Sequence, residues 1–171
     1  DFLDPLKDVK SRFGTFMVVG NHEYYHGIEG LIDKFKSIGI KVLENESVVI
    51  ADINLAGVYD MAGLKMDKFK PDFTKAMSDI DPNLPTILLT HQPRSLSYLQ
   101  NSVDLAISGH THGGQIFPFS ILVWLNQKYI YGLYNITDDM KLLVSSGAGL
   151  WGPPFRVGSN SEIVYLKLLG D

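Results

Sequence analysis

The sequence predicts a mixed α/β (α+β) domain, and three observations carry that prediction. Thr15-Phe16-Met17-Val18-Val19 and Pro85-Thr86-Ile87-Leu88-Leu89-Thr90 are short, mostly apolar runs, the pattern of strands buried on both faces. Between such runs lie segments whose apolar residues recur at helical spacing. The final third then reads as strands alone. Alternation of strand and helix followed by strands is the order of a mixed domain.

Taken in order, Thr15 to Val19 is the first strand. Gly27 to Ile38 follows as a helix, because Ile28, Leu31, Ile32, Phe35 and Ile38 share one face and Gly39 supplies a stop. Lys41 to Leu43, Ser47 to Ile50 and Ile53 to Tyr59 read as strands, with Asn45 at the turn between the first two. Pro71 to Ile80 reads as a helix ended by Asp81-Pro82. After the strand from Pro85 to Thr90, Pro93 opens a helix to about Leu99, and Val103 to Ser108 is again a strand. Tyr129 to Ile136, Lys141 to Ser145 and Glu162 to Leu169 complete the strands. No internal repeat, low-complexity tract or linker interrupts the chain, so residues 1–171 are expected to form one domain.

Composition narrows the function. The chain has 171 residues, 45% of them hydrophobic and 20% charged, which is enough for one real core. Its formal charge of −4 argues against a nucleic-acid partner held by phosphate neutralisation. There is no cysteine, so disulfides and thiolate metal sites are both excluded. No signal peptide is visible in the opening Asp-Phe-Leu-Asp-Pro. The longest apolar run, Ile116 to Leu125, contains Pro118 and is far shorter than the roughly 20 residues that cross a bilayer.

Three of the strands end in glycine or threonine followed at once by a potential metal ligand. They give Gly20-Asn21-His22-Glu23, Thr90-His91 and Gly109-His110-Thr111-His112-Gly113-Gly114. In α/β sheets ligands bind outside the carboxyl ends of strands. A lone histidine after a strand is usually a core or surface residue. Here four of the five histidines fall in these endings, and only His26 is left to a loop. Imidazole nitrogens and an amide oxygen suit zinc, iron or manganese. If the segment is extended, His110 and His112 point to the same side, a spacing suited to two adjacent metals.

These same residues carry a family resemblance. Gly20-Asn21-His22-Glu23, Thr90-His91 and Gly109-His110-Thr111-His112 resemble the third, fourth and fifth signature motifs of the calcineurin-like metallophosphoesterases. Gly113-Gly114-Gln115, Tyr131-Gly132-Leu133-Tyr134 and Pro154-Phe155-Arg156-Val157-Gly158 are similar to a narrower branch of membrane-associated bacterial phosphodiesterases. The resemblance implies an αββα sandwich of two mixed sheets and a metal-dependent phosphodiesterase. It implies two divalent metals (Mn, Zn or Fe) and a metal-bridging hydroxide as nucleophile. Asn21, His91 and His110 would bind one metal and His112 the other. His22 would be a general acid, or a group just outside the ligands, near the leaving oxygen.

The family has two earlier motifs, Asp-x-His and Gly-Asp-x-x-Asp, and neither is present before the third. The expectation is therefore a domain represented by its C-terminal two-thirds, without its N-terminal βαβ portion. The ligands that remain are all neutral, so the first metal site should be weakened and the second nearly empty. A different class of reading is a non-catalytic binding or scaffold module with a vestigial site.

The remaining motifs leave choices open. Ile116 to Leu125 is either ordinary core or an exposed apolar lip for a lipid tail or membrane surface, with Trp124 and Trp151 at the interface. Arg156 is either a surface residue or a phosphate-binding one. Asp60 either lines the site or serves a turn. Gly147 and Gly149 allow close backbone approach. The expected partners are a phosphate-ester substrate, lipid- or cell-wall-linked, and a membrane surface.

Overall fold

The computed structural model describes residues 3–101 and 103–169. Eight strands are found there: β1 (Thr15–Met17), β2 (Ile40–Val42), β3 (Glu46–Ile50), β4 (Ile53–Gly57), β5 (Thr86–Leu89), β6 (Leu105–Ser108), β7 (Gly132–Asn135) and β8 (Lys141–Val144). β1 and β2 pair in parallel as a small sheet. The other six form a mixed sheet in the order β3-β4-β5-β6-β8-β7. Its four central strands run parallel, and β3 and β7 close the edges antiparallel. The α/β class and the two sheets agree with the sequence reading, although the described part of the small sheet is wholly parallel.

One row of side chains crosses the large sheet. Ala56, Leu88, Ala106 and Leu142 sit side by side in register on β4, β5, β6 and β8, and none is exposed. Small and large residues alternate along the row, so neighbours fill each other's gaps. Phe73, Ala76 and Met77 cover this row, the first two from the single turn of α4 (Phe73–Ala76).

A second core lies under α2 (Ile28–Ser37), whose Ile28, Ile32 and Phe35 share the apolar stripe that the sequence predicts. They pack with Ile40 and Val42 of β2. The two sheets meet at Gly57, where a Cβ would come within 2.5 Å of the Leu43 side chain and 2.7 Å of Val18. Only a glycine permits that approach.

Four elements differ from expectation. The helix expected over Pro71 to Ile80 is only α4, because Asp72 caps it and the Ser78 hydroxyl donates to the Lys75 carbonyl one turn later. The buried Asn54 amide then takes both the main-chain N–H and the carbonyl of Asp81, turning the chain away. Pro93 to Tyr98 is a 3-10 helix, with Ser95 and Ser97 hydroxyls donating to the Gln92 and Arg94 carbonyls.

The apolar run after His112 includes a helix, α5 (Ser120–Gln127), that its composition does not announce. Glu162 to Leu169 alternates like a strand but joins no ladder among the described residues. The two short helices α1 (Asn21–Tyr25) and α3 (Ala62–Met66) complete the α-helices of the described residues. No helix among the described residues is long and apolar enough to cross a membrane.

Leu88→Ala removes the centre of the buried row and should cost about 3 kcal/mol of stability, read as a lower urea midpoint at unchanged slope.

Candidate metal centre

The site is built where β1, β5 and β6 release the chain. β1 leads to Gly20, whose N–H donates to the Glu23 carboxylate at 2.7 Å and starts α1. Asn21 is the first residue of that turn. A Cβ on Gly20 would lie 2.7 Å from the His91 ring. The glycine is therefore the reason the His91 imidazole can reach Asn21. From β5, Thr90 is locked by its hydroxyl against Ser95 at 2.6 Å, and His91 follows. From β6, the Gly109 N–H donates to the His91 carbonyl at 3.1 Å and brings His110 alongside.

Three candidate ligand atoms converge. His91 Nε2 lies 3.0 Å from Asn21 Oδ1 and 3.1 Å from His110 Nδ1. Burial, acting first, pushes the pKa of both histidines down to about 4, so both rings are neutral at pH 7. Asn21 Oδ1 can only accept, and a neutral His91 Nε2 carries at most one proton. At least one of the two close contacts therefore depends on a shared proton or sets two lone pairs against each other. A cation at that point would relieve the conflict, and the donor types fit zinc, iron or manganese.

Among the described residues, no group of three or more histidines, aspartates or glutamates is placed to hold a metal ion together. The cluster is two imidazoles and one amide oxygen, all neutral at pH 7.

His110 and His112 are not in an extended segment. Both have left-handed backbone, with φ of 68° and 51°, and Thr111 between them caps the turn that follows. The Thr111 N–H donates to the Gly109 carbonyl at 2.8 Å, which curls the segment. His112 thus stands apart from the other two histidines, its Nδ1 3.4 Å from the Gly149 carbonyl. If Nδ1 carries the proton, Nε2 is left as the free lone pair. His22 is exposed and stands beside Tyr25 and His26, with ring centroids 5.8 and 6.5 Å away.

Asn21, His22, His91, His110 and His112 line one cavity of about 300 Å³. Its other wall is apolar: Ile116, Phe119, Leu122, Val123 and Trp151. Around it Phe117, Trp124, Leu125 and Phe155 are at least half exposed, so the run after His112 is a surface lip rather than core.

Arg156 does not line this cavity. Its two terminal nitrogens donate to the carbonyls of His112, Ser146, Gly147, Gly149 and Asn160. Arg156 therefore differs from the expectation of a phosphate contact: it holds the loop after β8 against the His112 turn. Gln115 does the same from the other side, donating to the carbonyls of Trp151, Pro153 and Phe155 and accepting from the Trp151 N–H.

Asp60 serves a turn, as one reading of the sequence has it, accepting from the Ala62 N–H at 2.8 Å. It also accepts from Gln92 Nε2 at 2.9 and 3.0 Å. Burial raises its pKa, while these hydrogen bonds and the nearby His110 oppose the rise. Gln92, Gln115 and Gln127 are buried beside the site, and sequence reasoning missed what they do. The one signal was position, since each lies within a few residues of a ligand or of the apolar lip.

A family model described as calcineurin-like phosphoesterase matches residues 1–114. A metallophosphoesterase from Helicobacter pylori strain J99 is 51% identical over 98% of the chain and 46% of its own length. One from Campylobacter jejuni is 46% identical over 99% of the chain and 46% of its own length. A Bos taurus protein named as a transmembrane protein with metallophosphoesterase domain is 37% identical over 96% of the chain and 40% of its own length. The chain thus spans less than half the length of these relatives. No solved structure matches.

Because the folded pKa of His91 and His110 lies near 4 and the unperturbed value is 6.5, the unfolded metal-free chain takes up protons first. Their contribution is present above about pH 6.5 and is lost as pH falls toward about 4. Urea melts at pH 7 and 5 should show this loss, and a His91→Asn, His110→Asn double variant should show a shallower one.

Proposed function

The chain belongs to the calcineurin-like phosphoesterase family, and from that premise we propose that it forms the metal-holding part of a phosphodiesterase. The observation that carries the reading is the convergence on His91 Nε2 of Asn21 Oδ1, at 3.0 Å, and His110 Nδ1, at 3.1 Å. Three neutral acceptors with too few protons are a poor arrangement on their own and a good one around a cation.

Asn21, His91 and His110 would hold one divalent metal, and His112 would contribute to a second. Bound there, the two metals would polarise the phosphoryl oxygens and supply a nucleophile from water at neutral pH. The chain's own groups do the rest. His22, on the cavity's rim, delivers a proton to the leaving oxygen. Arg156 and Gln115 keep the Gly149 carbonyl at the His112 ring, and the apolar wall excludes water from one side of the reacting group.

The substrate on this reading is a phosphodiester with an apolar part, lipid- or cell-wall-linked, lodged against Phe119, Leu122 and Trp151. The exposed Ile121, Trp124 and Leu125 extend that wall outward as a surface that enters the headgroup region of a membrane. The membrane setting named for the cattle relative is in keeping with this. The competing reading, a binding module with a vestigial site, draws on the cluster's having no carboxylate ligand among the described residues.

Metal content and hydrolysis of bis(p-nitrophenyl) phosphate separate the two. With manganese supplied, the chain should bind metal and turn over, and His110→Ala should lose the metal and more than about a hundredfold of the rate. Bound metal with no turnover would favour the binding module.

Sedimentation with phosphatidylcholine–phosphatidylglycerol vesicles tests the surface. Trp124→Ala should weaken partition by about fivefold, and no binding by the parent chain would remove the membrane role.

A further inference from the structure

A second cavity, of about 270 Å³, shares Asn21, His110, Asn126 and Gln127 with the first. Its remaining lining includes two cationic side chains, Arg94 and Lys65, and no carboxylate among the described residues. The metal-ligand cluster therefore borders two compartments of different character, one walled by apolar groups and one by positive charge.

Arg94 is held in place rather than left to solvent. Its Nε donates to Gln92 Oε1 at 2.8 Å, and its Nη1 reaches Asn126 Oδ1 at 3.4 Å. Gln92 is in turn fixed by the buried carboxylate of Asp60, and Gln127 Nε2 approaches the same Gln92 oxygen at 3.4 Å. This relay anchors one edge of the guanidinium through a neutral amide. No ion pair joins Arg94 to a carboxylate of the described residues, and Nη2 has no acceptor among them. Arg156 is the contrast: its terminal nitrogens are engaged with five carbonyls and reach neither cavity.

An immobilised guanidinium with a free edge is matched to an oxyanion, which it can bind through parallel N–H groups. Lys65, exposed on α3, adds charge on the same cavity. Resting on the phosphoesterase reading, we propose that Arg94 and Lys65 form an anion-binding subsite beside the metal ligands, which recognises a second anionic group, phosphate or carboxylate, on the ester substrate. The substrate then spans the site with its acidic group on Arg94 and its apolar part on the α5 wall, and the scissile phosphate lies between them.

Calorimetric titration tests this without turnover, and so apart from the proposed activity. The probes are propyl phosphate and propane-1,3-diyl bisphosphate, which differ in one phosphate, at fixed free manganese. The parent chain should bind the bisphosphate about tenfold more tightly than the monophosphate. Arg94→Gln should bring that ratio close to one, and Arg94→Lys should restore most of it. Thermal melts should show both variants folded, so that a changed ratio reports the subsite and not the fold.

Equal affinity of the two probes for the parent chain, or no binding of the bisphosphate, would overturn the proposal. So would an unchanged ratio in Arg94→Gln, which would mean that the arginine meets the scissile phosphate or none. Failure of bis(p-nitrophenyl) phosphate hydrolysis with an intact Arg94-dependent ratio would instead count against the phosphodiesterase reading alone.

Discussion

The His91 ring lies against the main chain at Gly20, and the geometry of the centre follows from that contact. β1 and β5 belong to different sheets, so nothing in either ladder brings Asn21 and His91 together. What does so is an imidazole packed where any side chain at position 20 would stand, 2.7 Å from the ring. Gly57 repeats the device deeper down, letting Leu43 and Val18 close the gap between the sheets. Two missing methyl groups thus set the distance between the layers, once in the core and once at the site. His110 then needs only the Gly109 N–H to the His91 carbonyl to fall into place.

That arrangement explains why neutral ligands are tolerable. Burying imidazoles in a weakly polar setting drives protons off them, and each ring then presents a lone pair. On the proposed reading, the fold would prepare these groups as ligands before an ion arrives. The amide chain Asp60–Gln92–Arg94 does comparable work with the opposite sign, carrying a fixed positive group to the neighbouring cavity while the buried carboxylate stays one residue removed from it.

Much of this was legible in the sequence, and the parts that were not have physical reasons. The strand endings at Asn21, His91 and His110 could be read because buried strands are apolar and their ends are punctuated. The turn between His110 and His112 could not, because two non-glycine residues adopt left-handed backbone there, against their intrinsic preference. α5 was hidden because its apolar Ile121, Leu122, Trp124 and Leu125 are exposed while its buried residue is the polar Gln127, the reverse of the pattern by which a helix is read. The expected helix from Pro71 was cut short by Asp72, Ser78 and Asn54, each offering the backbone a local alternative. Arg156 and Arg94 differ only in which acceptors the fold brings to them, and composition carries no trace of that.

The segment from Ile163 to Leu169 has a consequence for how this chain behaves in a tube. Its Ile163 and Tyr165 are about nine-tenths exposed, its alternation is that of a strand, and no described strand covers its main-chain groups. Apolar, β-prone and without proline, with Lys167 as its sole charge, it has the makeup of a steric zipper. Concentrated solutions of the chain should therefore self-associate through this stretch first. A partner strand that caps it would act as a solubility device as well as a structural one.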